Sequence, residues 1–349
     1  MQSQPTGGRH TVVVTGGTGG IGRAVAVELA RRGDRVLVVG RSADRGAAVL
    51  AALNQAGPGA GHALLRADLA LLRETARAAD QIAGQADRLD AVVLCAGVLS
   101  TVAEWTDEDL ERSFALNYLS RYLLLRRLLP LLAEAPAGRV VLVANAGRYR
   151  DTLDLDDLQL RRGGRGLRVA GRTQFANDLL AVELAERVRG SRIEVTCVFP
   201  GLVATDVFRN ARGVPRPMRA AAIALQRLIA VSPVAAAQTP VFLAHDPDAT
   251  GVGGAFFGPG RRRRRIPKRV LRPDRRAALW AASEELVRPW LPDPTWPPTW
   301  LAPTPNARPV PGFRPCRGAA RGRRAAGPGR TRTRTDRRSP GRPRTLRRG

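Results

Sequence analysis

The residues best placed for chemistry near the start of the chain are glycines. Thr15-Gly16-Gly17-Thr18-Gly19-Gly20-Ile21-Gly22 follows the β-branched run TVVVT and leads straight into a helical pattern over residues 21–32. Strand, glycine turn and helix in that order make an anion cradle. Gly16 can close the tight turn, Gly20 lets the backbone approach a pyrophosphate, and Gly22 allows close packing of helix on strand; the helix N-terminus, at Ile21, faces the negative charge. No lysine stands nearby, so this is not the phosphate loop of a nucleoside triphosphatase. A second candidate lies where the next apolar run ends, Val38-Val39-Gly40-Arg41-Ser42. An acid there would take the ribose hydroxyls of NAD(H). Arg41 instead offers a planar cation suited to a 2′-phosphate, which favours NADP(H), NAD being the less favoured cofactor. The competing reading of Arg41 is a solvated arginine in an arginine-rich chain.

These residues need a scaffold, and the pattern supplies one. Short β-branched runs alternate with longer Ala/Leu/Arg segments of helical period, which predicts right-handed βαβ units and a parallel sheet. Strands are expected at 11–15, 35–39, 62–66, 91–94, 139–143, 193–199 and 254–257, giving an α/β, doubly wound sheet of seven parallel strands flanked by helices. A helix over 273–287 closes the patterned region. The domain organisation is therefore a flexible N-terminus (1–10), one domain (11–288) and a tail (289–349), rich first in Pro and Trp and then in Arg, that is expected to be disordered.

Charge is unevenly placed. The chain carries +27 overall, but residues 261–349 hold 26 basic against 5 acidic side chains, leaving the remainder mildly basic. Only one basic residue is a lysine, Lys268. The tail can make nonspecific contact with polyanions, yet it lacks interleaved aromatics and a recognition fold, so specific nucleic-acid binding ranks last. Three widely spaced cysteines (Cys95, Cys197, Cys316) suit a reducing, cytoplasmic setting. No signal peptide, membrane span or metal-ligand spacing is expected; a homo-oligomer is compatible with the sequence.

Further matches follow the glycine turn in order. Asp68-Leu69 comes after the third strand, Ala96-Gly97 after the fourth, Asn117 lies in ERSFALNYLSRYLLL, and Pro200-Gly201 with Thr205 follows the sixth. With Thr15 and Gly16, these residues resemble the short-chain dehydrogenase/reductase family, closest to its retinol-dehydrogenase-like branch, over most of residues 11–287. The resemblance implies a Rossmann-type fold. It also implies adenine contacts at Asp68 and Leu69, a cofactor-facing turn at Ala96 and Gly97, a helix asparagine at Asn117, and nicotinamide contacts at Pro200, Gly201 and Thr205. Asp68 as a helix cap and Asn117 as a buried backbone tie remain open alternatives.

The same resemblance locates the catalytic Ser, Tyr and Lys, and all three are substituted. The serine position falls on Asn145. In LRVAGRTQFANDLL the tyrosine position falls on Ala170 and the lysine position, which also contacts the cofactor, on Gln174. No tyrosine has a lysine four residues on, so the YxxxK motif is absent from the chain. Asn145 can still donate a hydrogen bond, and Tyr149 is the available proton donor, its alternative fate being packing or surface. Two functions compete: an NADPH-dependent reductase of a carbonyl or alkene on a small apolar molecule, with a non-standard donor; and a catalytically degenerate NADP(H)-binding protein acting as partner subunit, sensor or non-redox enzyme. Residues 204–231 are expected to form the substrate lid.

Overall fold

The computed structural model describes residues 9–291, except Asp206, Phe208 and Asn210. The expected flexible N-terminus lies outside the described residues up to residue 8, and the expected tail lies outside them from residue 292. The first two elements are β1 (Thr11–Thr15) and α1 (Gly20–Arg31), followed by β2 (Arg35–Gly40) and α2 (Ala43–Ala56). Next come β3 (Ala63–Arg66), α3 (Leu72–Ala83) and β4 (Ala91–Leu94). A single turn, α4 (Arg112–Phe114), leads through a π-helical stretch, Ala115–Leu119, into α5 (Ser120–Ala133). The remaining pairs are β5 (Gly138–Val143) with α6 (Leu167–Arg187), and β6 (Ile193–Val198) with α7 (Arg216–Ile229) and α8 (Pro233–His245). The fold ends on β7 (Phe256–Phe257), β8 (Arg263–Arg264) and α9 (Pro273–Val287).

The strands form one sheet in the order β3-β2-β1-β4-β5-β6-β7-β8. The first seven run parallel, as expected, with Val12 opposite Val36 on one side and Ala91 on the other. Both faces of this sheet are covered, which is why β1, β2 and β4 read as continuous valine-rich runs rather than alternating ones. On one face Val25, Ala26 and Leu29 of α1 pack with Val49 and Leu53 of α2 and Val241 of α8 over Val12, Val14 and Val36. The helix spacing of three and four puts those α1 residues on one stripe. The order reverses between β2-β1 and β4-β5, opening a crevice at the strands' C-terminal ends.

The expected sheet needs one correction: an eighth strand is present and is antiparallel. Phe256 pairs with Arg264 and Phe257 with Arg263 across a turn in which Gly260 and Arg261 both have positive φ. An arginine run carries no apolar signal, so only its hydrogen bonds reveal it. Three strands are shorter than expected; β6 stops one residue early, at Val198. His62 leaves the ladder because its ring takes over the pairing, with Nδ1 accepting from Val36 N at 3.1 Å and Nε2 donating to Gly57 O at 3.0 Å. Gly254, at φ +77, keeps residues 254–255 out of β7. After α9 a helical turn, Arg288–Trp290, continues the chain, and an Arg127 guanidinium N–H donates to the Trp290 carbonyl.

Candidate functional site

The glycine turn lies in the crevice. Gly16 N donates to Val39 O at 2.9 Å, and Thr15 Oγ1 accepts from Ala96 N at 3.2 Å, which ties the ends of β1, β2 and β4 together. A Cβ on Gly16 would lie 2.8 Å from Ala96 Cα, and one on Gly22 would lie 2.4 Å from Gly16 O. Both glycines are therefore required by contact between backbones. Gly19 faces open space, with nothing within 4 Å of its would-be Cβ. Helix α1 has no side-chain cap and no acid in its first turn, so the N–H groups of Gly20, Ile21 and Gly22 point outward without a helical acceptor. This open, electropositive cradle fits a pyrophosphate.

The flanking positions agree with that fit. Arg41 is exposed, and no hydrogen bond or ion pair among the described residues engages it. Ser42 caps α2 by accepting from Arg45 N. Asp68 accepts from Ala70 N at 3.0 Å and pairs with Arg112 at 3.1 Å, while Leu69 is buried beside it. Pro200 is buried and Gly201 has φ +96. The loop they begin folds back until Thr205 Cγ2 lies 3.0 Å from the would-be Cβ of Gly20. Gln226 of α7 holds this loop by donating to Val203 O and Thr205 O.

Asn117 sits in the π-helical stretch and works as a tie. Its Oδ1 accepts from Val98 N at 2.8 Å, and its Nδ2 donates to Val98 O at 2.9 Å and to Thr173 Oγ1 at 3.2 Å. The strand end just past Ala96-Gly97 is thus fixed to α6. Asn177 Nδ2 in turn donates to Asn117 O at 2.9 Å. Sequence reasoning missed the partner of this network, Arg121. Its buried guanidinium donates to Ala96 O at 2.8 Å and to Val143 O at 3.0 Å, joining the ends of β4 and β5. Burial lowers its pKa to about 10, which leaves it charged at neutral pH. The signal was an arginine within an apolar helix. A second buried cation, Arg172, pairs with Glu111 and lies 4.8 Å above the Phe114 ring.

The positions that the sequence marks as candidates for catalysis lie around the start of α6. Ala170 is buried and Gln174 half-buried. Neither side chain can act as an acid at neutral pH. Asn145 is half-buried at the end of β5, at a turn where Ala146 takes φ +42 and Gly147 φ +81. Tyr149 lies four residues further on. Its ring rests against α6 one residue past Ala170, with Cδ1 3.2 Å from the would-be Cβ of Gly171. Arg269 holds this loop by donating to Gly147 O and Tyr149 O at 2.9 and 2.8 Å. Asp178, also missed in the sequence, accepts from Gly147 N at 2.9 Å, and burial pushes its carboxyl up to about 7. Cys95, next to Ala96, is no nucleophile: desolvation raises its thiol to about 12.

A cavity of about 1060 Å³ opens between α1, α2, α7 and α8. It touches the glycine turn at Gly20 and Thr205 but none of Asn145, Tyr149, Ala170 or Gln174.

A doubly wound sheet with an uncapped glycine turn at its switch point defines a dinucleotide-binding scaffold of the Rossmann type. A short chain dehydrogenase family profile matches residues 10–150. Retinol dehydrogenase 14 of Homo sapiens is 32% identical over 292 residues, covering 79% of this chain and 86% of the relative. Polyprenol dehydrogenase of Mus musculus is 34% identical over 260 residues, covering 72% and 76%. A short chain dehydrogenase of Escherichia coli solved with NADPH matches at a TM-score of 0.55 and 26% identity, covering 71% of this chain and 95% of that structure. One of Shigella flexneri solved with NADP matches at 0.55 and 25%, covering 71% and 96%. The chain belongs to the short-chain dehydrogenase/reductase family, in its retinol-dehydrogenase-like branch. Its family is one of oxidoreductases that use a nicotinamide dinucleotide. Among the described residues no helix is long and apolar enough to cross a membrane.

Proposed function

We propose that this protein is an NADPH-dependent reductase of a carbonyl or conjugated alkene on a small apolar molecule, with Tyr149 as proton donor. The observation that carries this reading is the contact of the Tyr149 ring with Gly171, beside the position at which relatives place their acid. A bound nicotinamide dinucleotide would supply the hydride. The chain must add a proton for the substrate oxygen and a donor to orient it, roles that fall to the Tyr149 hydroxyl and the Asn145 amide. Asn117 positions the strand end beneath them. Thr15, Gly16, Gly20, Ile21 and Gly22 would hold the pyrophosphate, Asp68 and Leu69 the adenine, and Ala96, Gly97, Gln174, Pro200, Gly201 and Thr205 the nicotinamide half.

Arg41, exposed and unengaged among the described residues, supports a 2′-phosphate and hence NADPH. An apolar substrate is supported by the surface near the lid: Leu202, Val207, Met218, Leu225, Val231 and Val234 are exposed large hydrophobics gathered in one stretch of chain. Relatives named for retinol and polyprenol, both apolar alcohols, point the same way. The test is NADPH consumption with retinal and other apolar aldehydes. Turnover is expected in the wild type and its loss in Tyr149→Phe, with NADPH affinity unchanged. NADPH binding without turnover on any such substrate would overturn the reductase reading in favour of a non-redox role.

A further inference from the structure

The chain has three histidines, and two of them meet at one carboxylate far from the cofactor crevice. His10 precedes β1, Asp34 precedes β2, and His245 ends α8, so the three gather at the N-terminal ends of the strands, opposite the glycine turn. His245 Nδ1 lies 2.9 Å from Asp34 Oδ2 and 3.0 Å from Oδ1, and His10 Nδ1 lies 3.8 Å from Oδ1. One ligand atom from each residue falls within a set no more than 4.8 Å across. The two rings meet at an angle, with centroids 5.4 Å apart.

The electrostatics of Asp34 call for a cation. Its carboxylate is only 3% exposed, yet no arginine pairs with it among the described residues, in a chain with 57 basic side chains. A buried carboxylate without a compensating charge is costly, and the groups that face Asp34 are two imidazoles, both metal-ligating side chains. The last turn of α8 adds the negative end of a helix dipole, which favours a bound cation there. The three backbones are held in place: Arg35 N donates to His10 O at 2.8 Å, Asp34 N to Leu29 O at 3.2 Å, and Asp246 N, just after His245, to Phe242 O at 3.0 Å.

We propose that His10, Asp34 and His245 form a Zn²⁺ site that staples the segment before β1 to the end of α8. Zinc binds imidazole nitrogen and carboxylate oxygen at about 2.0 to 2.2 Å in tetrahedral geometry, which sets neighbouring ligand atoms about 3.3 to 3.6 Å apart. The observed separations bracket that spacing, so small side-chain rotations close the site. Both imidazoles are partly exposed, which leaves the fourth position to water. Two nitrogens and one oxygen suit zinc or a neighbouring late transition metal; magnesium and calcium prefer oxygen alone.

The experiment uses the full chain without an affinity tag, stripped with EDTA and titrated with ZnCl₂ by calorimetry, with thermal melts alongside. One zinc per chain is expected, with Tm rising as zinc is added. His10→Ala and His245→Ala should each weaken binding at least about tenfold and abolish the Tm rise. The His10 side chain is partly exposed and lies at the edge of the fold before β1, so its variant tests the site with little risk to folding, and circular dichroism checks this. Cys95→Ser and His62→Ala should bind as the wild type does. The proposal is overturned if zinc shows no saturable binding, or if binding survives both His10→Ala and His245→Ala.

Discussion

Replacing Gly22 by alanine places a methyl carbon 2.4 Å from Gly16 O, 2.8 Å from Gly16 C and 3.1 Å from Gly17 N. All three neighbours are backbone atoms of the turn, so no side-chain rotation relieves the overlap. Either α1 lifts from the sheet or the turn gives way. Overpacking costs about 1 to 3 kcal/mol, and three rigid backbone neighbours place this site in the upper part of that range, about 2 to 3 kcal/mol. Alanine recovers about 1 kcal/mol through helix propensity, which leaves a net loss of about 1 to 2 kcal/mol. If the helix lifts, the loss appears as a fall in Tm of about 2 to 8 °C for a domain of this size. If the turn yields, it appears instead as a roughly 5- to 30-fold weaker NADPH Kd. Gly19→Ala is the matched control, because its φ of −167° suits any residue and its Cβ meets nothing within 4 Å. Thermal melts and fluorescence titration of NADPH on both variants separate the outcomes. Wild-type Tm together with wild-type affinity in Gly22→Ala would refute the argument that backbone contact makes this glycine necessary.

Arg41→Ala should erase a preference for NADPH over NADH of about ten- to a hundredfold, measured as the ratio of the two Kd values; equal affinities in the wild type would contradict the role given to Arg41. Asp178 should make stability depend on pH in the direction opposite to an ordinary aspartate. Its folded pKa of about 7 lies above the unfolded value, so the stability it contributes is fullest below about pH 4 and is lost as pH rises to about 7. Urea unfolding should therefore show Asp178→Asn gaining on the wild type across that window, by no more than about 4 kcal/mol, and staying level above it. Ala170→Tyr/Gln174→Lys should raise kcat on apolar aldehydes at least about tenfold, since a positioned general acid contributes ~10²- to 10⁴-fold; unchanged kcat would mean that proton supply does not limit the wild type.

Local chemistry made much of the fold legible in the sequence. The valine runs of β1, β2 and β4 announce strands buried on both faces, and the glycine turn announces a close helix-to-strand approach, because a Cβ has no room at Gly16 or Gly22. The helix over 273–287 was readable from its starting proline and its apolar period. What stayed hidden depends on partners distant in the chain. Arg121 gains meaning only when Ala96 O and Val143 O converge on it, and Glu111 only when Arg172 arrives from 61 residues away. Asp178 reads as one more polar residue of α6 until β6 and the turn at Gly147 bury it. His10, Asp34 and His245 have no motif spacing at all. Tyr149 was singled out for its place four residues beyond Asn145, and its contact with Gly171 came only with the folded loop.

The antiparallel strand β8 bears on how copies of this protein can associate. A parallel sheet that stopped at β7 would present unpaired N–H and C=O groups, a template on which another chain could add a strand. Here the chain covers that template itself, with Arg263 and Arg264 inside a run of five consecutive arginines from Arg261 to Arg265. Two copies meeting there about a twofold axis would bring the exposed arginines of the two runs, such as Arg262, Arg263 and Arg265, close together, and like charges facing one another across an edge oppose pairing. A charged arginine run on the outermost strand is thus a physical obstacle to adding a further strand at this edge.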